Sequence, residues 1–214
     1  MPGDLSDDGL MVSVVLVDFG NTLADETFMW HDVGAFGDWR AHYGPVVRPL
    51  AHDWDCGRST TDELAAAIAA SANRSRQDVR AHMALLCSRI AFYSGINTAL
   101  DRRRARGALQ AIVTVNPDLF SMIVDTYDLA SRFDAIVTSW EIGTTDKVAI
   151  CQAACEEIGC SPQQSALIDN IAANVEGWIE GGGGGYVFRS DEQFIQDVEA
   201  RLVPGFEAAD VAPR

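Results

Sequence analysis

Val14–Glu26 reads VVLVDFGNTLADE. The first four residues form a short β-branched and aliphatic run, the kind that is buried on both faces of a parallel sheet. The run stops at Asp18, and two places further on stands Gly20. A strand that ends in a carboxylate delivers that group to the carboxyl edge of the sheet, where open α/β folds bind their ligands. The segment therefore predicts both a first strand and the edge at which to look for chemistry.

Further apolar runs of the same kind follow. ALQAIVTV (Ala108–Val115), DAIVTS (Asp134–Ser139) and SALID (Ser165–Asp169) read as buried strands, and GYVF (Gly185–Phe188) as a fifth. Segments of helical length separate them, at Pro117–Ser131, Lys147–Ile158 and Ile171–Ile179. Alternating strands and helices predict an α/β protein built on a doubly wound parallel sheet. The stretch from about Leu23 to about Arg106 breaks the alternation. It contains TTDELAAAIAASA, with Thr60 or Thr61 as helix cap and Glu63 in the first turn, and a second segment that is apolar at Val79, Met83, Leu86 and Ile90. We read it as a small helical subdomain. The expected division is a core at 11–23 and 107–205, a helical insertion at 24–106, and flexible termini at 1–10 and 206–214.

Composition limits the partners. The chain has 214 residues, 48% of them hydrophobic, enough for a real core. Sixteen basic against thirty-one acidic side chains give a net charge of −15, which argues against nucleic acid or an anionic membrane surface, since both are held mainly by Lys and Arg. No apolar run reaches the roughly 18 residues of a membrane span, and MPGDLSDDGLM at the start is acidic where a signal peptide is basic. A cytoplasmic protein is expected. Five cysteines without a CxxC pair suggest neither a disulfide framework nor a zinc site, and Cys151 and Cys155 are spaced to share one helix face in the core. The glycine run Gly181–Gly185 lacks a phosphate-loop pattern and reads as a helix end turning into the last strand. The arginines of DRRRARG, Arg102 to Arg106, read as a solvated helix face.

Several polar residues fall at the strand ends. Asp18 closes the first strand, Thr114 the second and Asp169 the fourth, with Asn170 beside it, while Lys147 starts the helix after the third. Two carboxylates with a neighbouring Asn suit Mg²⁺, a hard cation that prefers oxygen ligands. A lysine and a threonine hydroxyl suit the oxygens of a phosphoryl group. Asp18 beside metal and ammonium is then a plausible nucleophile.

The sequence resembles the haloacid dehalogenase-like (HAD) hydrolases: LVDFGNTL looks like their first motif, AIVTVN the second, GTTDK the third, and ALIDN with NVEGW the fourth. The insertion after the first motif is similar to the family's smaller helical cap. The resemblance implies a Rossmann-like core and a Mg²⁺-dependent phosphohydrolase of small phosphorylated metabolites. It implies Asp18 as nucleophile and metal ligand, the Gly20 carbonyl and Asp169 as further ligands, and Asn170, where many members carry a second Asp, as a possible fourth. Thr114 and Lys147 would bind the transferring phosphoryl group. Asn116 and, in the cap, His31, Trp39 and Arg40 are the candidate contacts to the rest of the substrate.

Gly20 departs from the family pattern, because phosphatases of this type usually carry an acid/base Asp there. Loss of such a group costs about 10²- to 10⁴-fold in rate. The expectation is a phosphatase restricted to good leaving groups, or one that borrows its acid from Asp25, Glu26 or His31. The alternatives are a non-catalytic protein that binds a phosphorylated ligand or a partner, and a 2-haloacid dehalogenase.

Overall fold

The computed structural model describes residues 12–30, 36 and 38–212. Five parallel strands form one sheet: β1 (Val14–Val17), β2 (Leu109–Thr114), β3 (Ala135–Thr138), β4 (Ser165–Asp169) and β5 (Gly184–Val187), in the order β3-β2-β1-β4-β5. Side chains of successive strand residues point to opposite faces. Val14 and Leu16 accordingly pack on one face with Ile150, Cys151, Ala154 and Cys155, and Val15 and Val17 on the other with Ile112 and Ile168. Both faces are covered, so β1 is apolar at every position. The strand order reverses at the β1–β4 pair, where Val17 lies opposite Ile168. This is the switch point at which doubly wound sheets open a crevice, and Asp18 and Asp169 flank it.

The insertion begins with a 3₁₀ turn (Glu26–Trp30), followed by α1 (Trp39–Val47), α2 (Ala51–Asp55), α3 (Thr61–Ala72) and α4 (Arg76–Cys87). The capping box expected at the start of α3 is present: Thr60 accepts from the Glu63 N–H, and the Glu63 carboxylate accepts from the Thr60 N–H at 2.8 Å. Pro45 lies inside α1, which helps explain why that segment shows no clean period in the sequence. The apolar faces of the insertion continue the sheet core without a break, from Val17 through Phe19, Leu23 and Phe120 to Trp39, Leu64, Ile68 and Met83.

Two crossings tie the insertion to the sheet. The Asp25 N–H donates to the Ala91 carbonyl and the Tyr93 N–H to the Leu23 carbonyl, both at 2.9 Å. On the opposite side Asp118 accepts from the Thr61 N–H at 2.9 Å, the Thr61 hydroxyl at 2.5 Å and the Trp54 indole at 3.0 Å.

The remaining helices are α5 (Ser94–Ala105), α6 (Phe120–Thr126), α7 (Ser139–Ile142), α8 (Lys147–Ile158), α9 (Ala172–Glu180), α10 (Asp191–Glu199) and α11 (Ala208–Val211). Four expectations need correction. α5 belongs with the sheet, packing on β2, α10 and α11, so the insertion ends before Ser94 and not near Arg106. Residues 206–212 are not a loose tail: Phe206 and Asp210 are buried, and Asp210 holds Arg106. The arginine run is not the solvated helix face expected, since Arg103 is buried and Arg106 pairs with the buried Asp210. Arg103 is only 2% exposed and donates to the carbonyls of Leu109 (2.6 Å), Gly205 (2.7 Å) and Ser13 (3.0 Å), so it staples the chain terminus to the starts of two strands. The expected helix Pro117–Ser131 is also split, with Asp128 in the left-handed region (φ 49°) between α6 and a 3₁₀ turn at Leu129–Ser131. Gly181 caps α9 and β5 starts at Gly184. The five cysteines are free. Among the described residues no helix is long and apolar enough to cross a membrane.

Candidate active site

The loop after β1 presents its polar groups through a tight turn. The Phe19 carbonyl accepts from the N–H groups of Leu23 (2.9 Å) and Ala24 (3.1 Å), and Asn21 takes a left-handed conformation (φ 55°), which Asn tolerates better than most side chains. Phe19 is locked beneath by edge contacts with Phe92 and Phe120. Asp18, one residue past β1, is held to β4 by its N–H to the Ile168 carbonyl at 2.9 Å.

Lys147 is the first residue of α8, which Asp146 caps by accepting from the Val148 N–H. From there Nζ reaches Asp18 Oδ1 at 2.6 Å, the Val113 carbonyl at 3.0 Å and Asp169 Oδ2 at 3.2 Å. All three side chains are buried. Asp169 is oriented by its own loop: Oδ1 accepts from the Ile171 N–H at 2.7 Å, and Oδ2 from Asn174 Nδ2 at 2.9 Å. Asn174, five residues after Asp169 and in the first turn of α9, is a positioning residue whose role the sequence analysis did not single out. Asn170 donates its N–H to the Thr22 hydroxyl at 3.1 Å. Thr114 is buried at the end of β2 and accepts from Asn116 Nδ2 at 2.7 Å.

One ammonium thus faces two carboxylates. Burial pushes the Asp18 carboxyl up to about 7; Lys147 opposes this, while Asp169 and, less, Glu26 add to it. Burial alone would lower the Lys147 pKa, but Asp18 and Asp169 outweigh it and leave the amine above its ordinary value, hence cationic. Glu26 is also raised, first by burial and then by Asp169 and Asp25 against Lys147. Glu26 as a whole residue is exposed, and its carboxylate end lies against Gly20.

The surplus negative charge is what a bound divalent cation would balance. No described residue donates to Asp18 Oδ2, and Asp169 Oδ1 has a single donor, so each retains acceptor capacity. Among the described residues no group of three His, Cys, Asp or Glu side chains forms a metal cluster. A cation here would complete its shell with the Gly20 carbonyl, Asn170 and water, a donor set that suits Mg²⁺, which commonly keeps several waters.

A cavity of about 260 Å³ lies between insertion and core, with Glu26, Met29, Trp30, Tyr43, Trp54 and Asp55 on one side and Asn116, Leu119 and Phe120 among the residues opposite. A larger one, about 550 Å³, is lined mainly by α6, β3 and α7 residues; neither cavity wall includes Asp18, Thr114, Lys147 or Asp169, but only the smaller is lined by Asn116, two residues past Thr114, and by Glu26, which lies beside Gly20. Of the expected substrate contacts, Asn116 lines the smaller cavity. Trp39 does not: it is fully buried in the insertion, its indole donating to the Met29 carbonyl at 2.8 Å and its ring stacked on Tyr43, so it is a core residue. Arg40 is exposed on α1 and is absent from the cavity wall. His31 lies outside the described residues.

No family model and no curated protein matches the sequence. Solved structures do match the fold. A predicted HAD-like family hydrolase from Porphyromonas gingivalis aligns at TM-score 0.66 and 16% identity, over 90% of this chain and 98% of its own. A HAD-family enzyme from Bacteroides thetaiotaomicron, in complex with magnesium and inorganic phosphate, aligns at 0.63 and 15%, over 84% and 95%. The L-2-haloacid dehalogenase of Xanthobacter autotrophicus, with chloropropionic acid covalently bound, aligns at 0.61 and 17%, over 95% and 85%. The fold is therefore the α/β Rossmann-like fold of these HAD-family structures, which include both a magnesium- and phosphate-bound enzyme and a dehalogenase.

Proposed function

We propose that this chain is a HAD-like phosphohydrolase that uses Mg²⁺ and acts on small phosphorylated metabolites. The observation that carries the reading is the Asp18–Lys147–Asp169 cluster, with Nζ 2.6 and 3.2 Å from the two carboxylates at the switch point of the sheet. Asp18 would attack phosphorus through Oδ2, the oxygen that Lys147 does not hold, and so form an aspartyl-phosphate. Lys147 and Thr114 would bind the phosphoryl oxygens as charge develops on them. Asp169, fixed by Asn174 and the Ile171 N–H, would hold the metal together with Asp18, the Gly20 carbonyl and Asn170. Bound there, Mg²⁺ would supply charge neutralisation for the phosphoryl group.

The cavity wall bears on the leaving group. Its described residues include no Lys, Arg or His, and its acidic side chains are Glu26 and Asp55 beside Met29, Trp30, Tyr43, Trp54 and Phe120. That lining favours an apolar or aromatic alcohol over one carrying a second phosphate or a carboxylate.

The test is phosphate release from acyl, sugar, alkyl and aryl phosphates with and without Mg²⁺, with Asp18→Asn as control. Turnover that needs both Mg²⁺ and Asp18 is expected. Halide release from a short 2-haloacid, indifferent to chelator and with no phosphatase activity, would instead place the chain with the dehalogenating relatives.

A further inference from the structure

Gly20 leaves a space two residues from Asp18, and another side chain fills it. A β-carbon added at Gly20 would lie 2.2 Å from Glu26 Oε1, 2.4 Å from Cδ and 2.9 Å from Oε2. The Glu26 carboxylate therefore occupies the volume in which a side chain at position 20 would begin. It is held there by Asn21 Nδ2, which donates to Oε2 at 3.2 Å, while no described residue donates to Oε1. Glu26 also lines the cavity between insertion and core. Its carboxylate thus stands at the junction of the two subsites, with the Asp18 loop on one side and the space for the leaving group on the other.

Asp25, the neighbouring acid, is committed elsewhere: its carboxylate accepts from the Thr27 N–H at 2.8 Å and the Thr27 hydroxyl at 2.9 Å. We propose that Glu26 is the general acid and base of this site, taking the role for which position 20 has no side chain. The proposal rests on the phosphohydrolase reading and specifies how its proton transfers are carried out.

In the first half-reaction an Asp18 oxygen forms a bond to phosphorus as the phosphorus–oxygen bond to the leaving group breaks. The departing oxygen keeps the electron pair and takes the proton of the Glu26 carboxyl. In the second, water attacks the phosphorus of the aspartyl-phosphate and gives a proton to the Glu26 carboxylate, inorganic phosphate departs, and the Asp18 carboxylate and protonated Glu26 are restored. The acid would then be carried by the first turn of the insertion, directly after the Asp25–Ala91 and Leu23–Tyr93 crossings, so the seating of the insertion on the core sets whether the proton is within reach.

The experiment measures kcat/KM for wild type, Glu26→Gln and the swap Gly20→Asp/Glu26→Ala across aryl and alkyl phosphates of increasing leaving-group pKa. Glu26→Gln should lose about 10²- to 10⁴-fold on alkyl phosphates and far less on a dinitrophenyl phosphate, and the swap should recover at least tenfold of the alkyl loss. A structural role would lower all substrates alike, and that result, or no loss at all, overturns the proposal while leaving the phosphohydrolase reading intact. If wild type hydrolyses none of these esters but releases phosphate from an acyl phosphate, whose leaving group needs no acid, the Glu26 proposal falls and the phosphohydrolase reading stands. A second readout needs no turnover. Gly20→Asp should push the Glu26 carboxylate out of the place it holds beside Asn21, and a crystal structure of the variant with Glu26 unmoved would refute the shared space.

Discussion

Asp18→Asn should make the metal-free protein more stable at pH 8 while removing the phosphohydrolase activity proposed above. Burial holds the Asp18 carboxyl at about 7 in the folded chain against 3.8 as the ordinary value. For an acid whose pKa is raised on folding, the folded state binds the extra proton between those two values. The associated stability is present at low pH and is lost as pH rises through about 7. Above that, ionised Asp18 is a burden whose upper limit is about 4 kcal/mol by linkage. The asparagine oxygen still accepts from Lys147, but its amide NH₂ takes the place of Oδ2, where no described residue offers an acceptor, and a buried donor left unpaired costs about 1–3 kcal/mol. We therefore expect a net gain of about 1–2 kcal/mol, which for a chain of this size is about 3–6 °C in Tm. Thermal melts in chelator at pH 8 and pH 4.5 would show the gain at the first and little at the second. A variant less stable than wild type at pH 8 would refute the picture of one ammonium shared by two buried carboxylates. Excess Mg²⁺ should raise the Tm of wild type more than that of the variant, because a ligand stabilises the state that binds it.

Arg103→Ala should lower stability by about 3–5 kcal/mol in urea titration, since it leaves three strand and terminal carbonyls without their buried donor; a loss under 1 kcal/mol would return the arginine run to a solvated face. Gly183→Ala should cost about 1–3 kcal/mol, because the added methyl would lie 2.2 Å from Nε1 of the buried Trp178; an unchanged melting curve would mean that the indole has room to move.

The sequence by itself determined the sheet and its edge. Periodicity and run length are local properties, so β4 falls at Ser165–Asp169 and α8 at Lys147–Ile158 as the sequence predicts, and a parallel sheet then carries Asp18, Thr114 and Asp169 to one rim. The start of α3 was legible for the same reason, since cap hydrogen bonds span three residues, although the sequence left Thr60 and Thr61 open as the cap and the structure places it at Thr60. What tertiary structure decided depends on contacts between distant segments. The burial of Arg103 follows from carbonyls at Ser13 and Gly205, and α5 sides with the sheet because α10 and α11 pack on it. Trp39 becomes core because the chain folds its ring onto Tyr43 and its indole onto Met29. Gly20 is the sharpest case: the sequence shows a missing side chain, and only packing of the insertion against the Asp18 loop reveals the Glu26 carboxylate in its place.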